Sequence, residues 1–225
     1  MIVVTGASRG IGAAVVERLL SKGHSVFGVA RDASDLPCEG ASCDVTSFSG
    51  LKAIARELRK RGEPIEGVVN CAGIAAMNLA LTTPEDSIKK VISTNLMGTI
   101  FTCQAFGPLL IRNKMGSIIN FSTIAVNLGL RGESVYVASK AGVEGFSYTL
   151  AKEFSDFNIR VNCIAPGPID TSLLSGVSSH QVAEIVNQQV LKKQFLLSDV
   201  CDVTEFLLGD SSSSISGQVL KIGGS

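Results

Sequence analysis

Short β-branched apolar runs alternate with helix-patterned stretches along this chain, and that alternation limits its fold more than any other feature. Ile2–Thr5, Ser25–Ala30, Gly67–Asn70, Ser117–Phe121, Ile159–Ile164 and Gln218–Ile222 read as strands. Between them, Ile11–Ser21 carries Ile11, Val15, Leu19 and Leu20 on one helical face, and Gly23 ends that helix. Pro84–Asn95 with its continuation to Leu110, Tyr136–Phe154, Val182–Leu191 and Val200–Leu208 also read as helices. Strands separated by helices must run parallel, because the helix supplies the crossover. The expectation is an α/β fold, a doubly wound parallel sheet with helices on both faces. No repeat or linker divides the 225 residues, so residues 1–225 read as one domain. One interval is short: Asp32–Cys43, with Pro37 and Gly40, reads as a loop or a single turn where a helix would ordinarily stand.

Composition excludes several function classes. Lys+Arg and Asp+Glu balance at 20 each, so net charge points to neither nucleic acid nor an anionic membrane as partner. No stretch approaches the ~20 apolar residues of a membrane span. Met1-Ile2-Val3-Val4-Thr5-Gly6 has no charged start or long apolar run of a secretion signal, and a cytoplasmic location is expected. Cys38, Cys43, Cys71, Cys103, Cys163 and Cys201 are scattered with no C-x-x-C pair, and there are two His; no metal site is expected. Inert thiols in a reducing cytosol are the reading favoured.

Thr5-Gly6-Ala7-Ser8-Arg9-Gly10-Ile11-Gly12 joins the first strand to the first helix. Glycines there permit a tight turn and close backbone approach to an anion, while the helix start offers free N–H groups and a positive dipole end to a pyrophosphate. Tyr136-Val137-Ala138-Ser139-Lys140 is Y-x-x-x-K, which sets both side chains on one helical face. A free tyrosine ionises at about 10, and a neighbouring ammonium favours the phenolate.

These motifs resemble those of the short-chain dehydrogenase/reductase family, whose T-G-x-x-x-G-x-G spacing Gly6, Ser8, Arg9, Gly10, Ile11 and Gly12 reproduce in position. The resemblance covers essentially the whole chain, with six motifs in order, and implies a Rossmann-type sheet binding NADP(H). Where NAD-selective members carry an acid after the second strand, this chain has Ala30-Arg31. Arg31 and Arg9 together point to the 2′-phosphate of NADPH, although either arginine alone is compatible with a solvated surface charge. Asp44-Val45 matches the adenine-contacting motif. Asn70-Cys71-Ala72-Gly73 matches N-N-A-G, with Cys71 in place of the second Asn and some sheet hydrogen bonding expected to be lost. Pro166-Gly167-Pro168-Ile169-Asp170-Thr171 matches P-G-x-x-x-T, where the Ile169 backbone and the Thr171 hydroxyl would hold the nicotinamide.

By the same resemblance, Tyr136 is the proton donor to a carbonyl oxygen and Lys140 holds the nicotinamide ribose. Asn95 completes a proton relay through a water. The family serine thirteen positions before the tyrosine falls on Thr123; a one-residue bulge would bring Ser122 inward instead. Residues 172–195 resemble a substrate lid. The pattern most resembles 3-oxoacyl-[acyl-carrier-protein] reductases, which place basic residues near the site mouth for an acidic carrier protein. Lys114 falls near one such position, and Phe157 occupies the other. The resemblance thus implies NADPH-dependent reduction of a ketone, such as a 3-oxoacyl thioester, by a homotetramer or homodimer. The alternatives are a reductase of another small carbonyl or alcohol, and a weakly catalytic NADP-binding regulator or scaffold.

Overall fold

The computed structural model describes residues 1–171, 174 and 177–224. Its strands form one parallel sheet, β3-β2-β1-β4-β5-β6-β7. β1 (Ile2–Thr5) lies between β2 (Val26–Ala30) and β4 (Gly67–Asn70), with β3 (Glu39–Ser42) beyond β2. β5 (Gly116–Phe121), β6 (Ile159–Pro166) and β7 (Val219–Ile222) extend the other side.

Alternation along the buried strands sorts side chains into two cores. Val3, Val68, Ile118 and Val161 face one way, onto α2 (Phe48–Arg61), α4 (Gly98–Asn113) and α6 (Ser134–Phe154). Ile2, Val4, Val69, Ile119 and Ile164 face the other, onto α1 (Gly10–Ser21) and α8 (Leu197–Leu208). Helices on both faces explain why these strands are apolar throughout rather than alternating with polar residues. Each fully buried Leu or Ile, such as Leu19, Leu110 or Ile118, contributes roughly 1.5–3 kcal/mol.

The structure corrects three expectations. Asp32–Cys43 is not only loop: Glu39–Ser42 forms β3, in register with Phe27–Ala30 of β2. The exposed segment Glu-Gly-Ala-Ser has little strand propensity, so the pairing comes from the edge of β2. Gly40 permits it, since a Cβ there would stand 2.4 Å from the Gly28 carbonyl oxygen. The helix read through Pro84 to Leu110 is α3 (Glu85–Ile92), a π-turn over Ser93–Met97, then α4. α2, which the sequence reading passes over, buries Leu51, Ala55 and Leu58 at helical spacing. Ser47 caps it, accepting from the Gly50 N–H at 3.3 Å.

The remaining elements are short. α5 (Ala125–Leu128) precedes α6, and α7 (Ser179–Gln188) leads toward an isolated bridge between Ile169 and Phe195. The lid expected over 172–195 thus contains α7; residues 172–173 and 175–176 lie outside the described residues. No helix among the described residues is long and apolar enough to cross a membrane.

Candidate active site

The sheet order reverses between β1 and β4, and a crevice opens there beyond the carboxyl ends of the strands. The cleft has a volume of about 540 Å³. Gly6, Ser8, Arg9, Gly10, Ile11 and Gly12 form its floor, and Arg31, Asp44 and Val45 its far end. Ala72 and Gly73 flank the middle, while Tyr136, Lys140 and Thr171 close the near end. Nearly every residue expected to hold the dinucleotide therefore lines one cavity.

The phosphate turn is shaped by what glycine leaves out. Gly6 sits at φ +67°, and a Cβ on Gly12 would stand 2.1 Å from the Gly6 carbonyl oxygen. No side chain fits at Gly12, so α1 starts directly against the turn. Arg9 is the N-cap of α1 and offers no side-chain cap, which leaves first-turn N–H groups facing the cleft. Arg9 and Arg31 are exposed at its rim, with no ion-pair partner among the described residues. The Asp44 carboxylate accepts from the Thr46 N–H at 2.9 Å and its hydroxyl at 2.7 Å. Those bonds hold it below its ordinary range, and Arg31 and Lys90 add attraction. A cradle with free N–H groups and cations at its rim suits an anionic ligand.

Asn70 and Asn95 do not line the cleft; they support it from behind. Asn70 Nδ2 donates to Asn120 Oδ1 at 2.8 Å across the β4–β5 pair. Asn120 Nδ2 donates in turn to Ser147 Oγ at 2.7 Å, and Asn70 Oδ1 is buried without a partner. Asn95, fully buried in the π-turn, accepts from the Ile74 N–H and donates to the Ile74 carbonyl and to Ser139 Oγ. Its own carbonyl accepts from Thr99 Oγ1 at 2.7 Å.

A smaller cavity of about 100 Å³ adjoins the near end. Thr123, Tyr136, Ile169 and Thr171 line it together with apolar Met77, Ile124, Leu130 and Ile185. Tyr136 belongs to both cavities, so its phenol stands at their junction. Thr123 lies against the phenol and draws its pKa downward. Ser122 instead donates to Glu144 of α6 at 2.5 Å. The geometry therefore brings the Thr123 hydroxyl, not that of Ser122, to the tyrosine.

Electrostatics depart from the simple tyrosine–lysine expectation. Burial pushes the Tyr136 phenol up, and the nearby Glu133 carboxylate pushes it further the same way. The Lys140 Nζ donates to the Phe121 carbonyl at 2.8 Å. Burial brings the Lys140 ammonium itself down to about 8. All six cysteines are free thiols, and burial raises each of them. No group of three or more His, Cys, Asp or Glu among the described residues could hold a metal.

Three residues outside the expected set shape the site. Glu133 is the N-cap of α6, three positions before Tyr136, and lines the small cavity beside it. Glu144 holds Ser122 away, and Lys90 lines the end of the cleft with Asp44 and Val45; no motif marks either. In contrast, Lys114 and Phe157 just precede β5 and β6. Within one chain they stand at the amino ends of the strands, across the sheet from the cleft. The expectation that Lys114 sits near the site mouth does not hold for the single chain.

A family model described as enoyl-(acyl carrier protein) reductase matches residues 6–224. The chain belongs to the short-chain dehydrogenase/reductase family. It is 34% identical to the 3-oxoacyl-[acyl-carrier-protein] reductase FabG of Chlamydia pneumoniae, covering 99% of this chain and 95% of that one. The 3-oxoacyl-[acyl-carrier-protein] reductase MabA of Mycobacterium tuberculosis is 32% identical over 99% of this chain and 91% of its own. Among solved structures, the ligand-free aldohexose dehydrogenase of Thermoplasma acidophilum superposes with TM-score 0.89 at 27% identity, covering 98% and 91% of the two chains. A short-chain dehydrogenase/reductase from Mycobacterium ulcerans gives TM-score 0.91 at 25% identity, covering 98% and 87%. The family assignment carries an oxidoreductase with a nicotinamide cofactor.

Proposed function

We propose that this short-chain dehydrogenase/reductase reduces a ketone to a secondary alcohol with NADPH, and that its substrate is a 3-oxoacyl thioester. One observation carries the reading: Tyr136, with Thr123 against it and Lys140 a helical turn away, occupies the junction between the long cleft and the small apolar cavity. Bound along the cleft, the cofactor would supply hydride to the carbonyl carbon. Gly6, Ser8, Gly10, Ile11 and Gly12 would hold its pyrophosphate, Arg9 and Arg31 its 2′-phosphate, and Asp44 and Val45 its adenine. Ala72, Gly73 and Thr171 would complete its cradle, with Asn70 supporting it from behind and the Ile169 backbone reaching it from the adjoining cavity.

The protein's own part is positioning and proton transfer. Thr123 and Tyr136 donate to the carbonyl oxygen, stabilising charge as it develops there. Because burial keeps the phenol protonated, Tyr136 is poised as an acid, and it delivers its proton to that oxygen. Lys140 and a water held near Asn95 resupply the proton. The apolar Ile124, Leu130 and Ile185 exclude bulk water and accept an acyl chain.

The curated relatives named as 3-oxoacyl reductases support the thioester, and with it an acyl carrier protein as partner. A homodimer or homotetramer is part of this reading. α6 leaves an exposed strip of Ala138, Ala141, Gly145 and Tyr148 against which a second copy could pack. The free thiols suit a cytoplasmic setting. A reductase of another small carbonyl or alcohol is the second reading, favoured by the likeness to an aldohexose dehydrogenase and by Phe157 in place of a basic residue. The test is the loss of NADPH absorbance with acetoacetyl N-acetylcysteamine thioester and a panel of ketones and aldoses. Turnover of the thioester above the rest supports the first reading, and preference for a sugar supports the second. Binding of NADPH without turnover of any compound overturns both in favour of a scaffold.

A further inference from the structure

Glu133 is a carboxylate without a partner, placed where substrate would lie. It is only 8% exposed, yet its side chain makes no hydrogen bond or ion pair among the described residues. It is the N-cap of α6, a position where an acidic side chain ordinarily accepts from first-turn N–H groups, and it caps none of them. It lines the small cavity instead, among Ala75, Met77, Leu130 and Ile185. A carboxylate facing apolar walls with no protein partner is unfavourable, and its partial burial pushes its pKa up. An apolar residue would serve the fold better, so the arrangement calls for a ligand group that completes it.

Its position defines that group. Only Ser134 and Val135 separate Glu133, at the mouth of α6, from Tyr136 in its first turn, and both Glu133 and Tyr136 line the small cavity. The carboxylate is close enough to act on the phenol through its charge. The other polar side chains of the cavity are already committed. Ser122 is held by Glu144, and Thr123, Tyr136 and Thr171 belong to the reacting centre. Among the described residues lining the cavity, Glu133 is the one polar side chain left to meet the part of the substrate beyond the carbonyl.

Resting on the ketone-reductase reading, we infer that Glu133 is a specificity-determining residue: it accepts a hydrogen bond from a neutral donor beyond the reacting carbonyl and rejects substrates that carry a carboxylate there. In a thioester the donor would be the amide N–H of the pantetheine-like arm; in a polyol it would be a hydroxyl. A free 3-oxo acid would bring a second negative charge into the same apolar space and be repelled.

Four compounds separate these cases. Acetoacetyl N-acetylcysteamine thioester offers an amide N–H, 4-hydroxy-2-butanone a hydroxyl, ethyl acetoacetate no donor, and acetoacetate an anion. Each is assayed with NADPH and the wild type, Glu133→Gln and Glu133→Leu, all checked for folding by their melting curves. Glu133→Leu should lower kcat/KM for at least one donor compound by tenfold or more relative to the ester, whose own rate reads the common effect of removing a charge beside Tyr136. Glu133→Gln, which keeps an acceptor but no charge, should stay within about threefold of wild type on the donor compound. Both variants should improve acetoacetate. The amide and hydroxyl arms tell a thioester from a polyol. A Leu variant that changes all four compounds by one common factor overturns the inference. Calorimetric binding of the same compounds to wild type and Glu133→Leu gives the preference without turnover. Equal discrimination in both proteins sinks the role of Glu133 even where the reductase reading itself fails.

Discussion

Asn95 grips the backbone of Ile74 at both polar atoms, accepting its N–H at 2.8 Å and donating to its carbonyl at 2.9 Å. Ile74 lines the cofactor cleft just after Gly73, so this clasp fixes the cleft wall to the π-turn. The same amide donates to Ser139, whose hydroxyl donates to the Tyr136 carbonyl at 2.6 Å. Asn95→Ala leaves several buried groups unpaired, each worth about 1–3 kcal/mol. The expected result is a lower melting temperature together with weaker NADPH binding, read by cofactor fluorescence. Unchanged binding would show that the clasp is structural only.

Tyr136→Phe removes one hydroxyl at the junction of the two cavities and nothing from the cradle proposed for the phosphates. Turnover should fall by about 10²–10⁴-fold, the usual contribution of a positioned acid. NADPH affinity should remain within about threefold. Steady-state rates and fluorescence titration check the two halves; a near wild-type rate would remove Tyr136 from the chemistry.

Long-range order was legible wherever a pattern repeats. The buried strands announce themselves as apolar runs, and the glycine turn and Tyr136–Lys140 spacing place the site on one edge of the sheet. What escaped depends on partners rather than on residue type. Glu39–Ser42 is a strand only because β2 offers an unpaired edge. The π-turn at Ser93–Met97 leaves no trace in hydrophobic period. The expected lowering of the tyrosine pKa fails because burial of the phenol, helped by the Glu133 carboxylate, pushes it up, and burial follows from the tertiary fold rather than from the Y-x-x-x-K spacing. Glu133 belongs to no motif, and its burial beside Tyr136 comes from the packing around the start of α6.

The choice between Ser122 and Thr123 is decided by where Ser122 is held. Its hydroxyl is bound to Glu144 at 2.5 Å, whereas Thr123 lies against Tyr136. Thr123→Ala should lower kcat by about tenfold or more, since an oxyanion donor is lost. Thr123→Ser should retain most activity, and Ser122→Ala should act mainly on stability. Larger kinetic loss in Ser122→Ala than in Thr123→Ala would reverse the assignment.

Arg31 stands at the end of β2 without an ion-pair partner among the described residues, facing the cleft beside Asp44. Arg31→Asp replaces an attractive charge by a repulsive one at the expected 2′-phosphate. The ratio of kcat/KM for NADPH over NADH should fall by about tenfold or more, with most of the change in the NADPH KM. An unchanged ratio would place the phosphate elsewhere.

Lys140 couples the site to pH through stability. Burial brings its ammonium from 10.5 in the unfolded chain to about 8 in the folded one. Between those values the native state holds fewer protons than the unfolded state, so this group's contribution to stability rises with pH. Below pH 8 both states are protonated and the full penalty applies, on the order of 3 kcal/mol. Lys140→Met removes it. The stability gained by the variant should therefore be largest near pH 7 and shrink as pH rises through 8 toward 10.5. Thiols such as Cys163, raised to about 11, pull stability the other way above pH 9, but they do so in both proteins and cancel in the difference. Urea unfolding of wild type and variant at pH 7, 8.5 and 9.5 measures it. A difference that stays constant across that range would mean that the Lys140 ammonium is not held in the buried, penalised state, and that its bond to the Phe121 carbonyl compensates for the water it gave up.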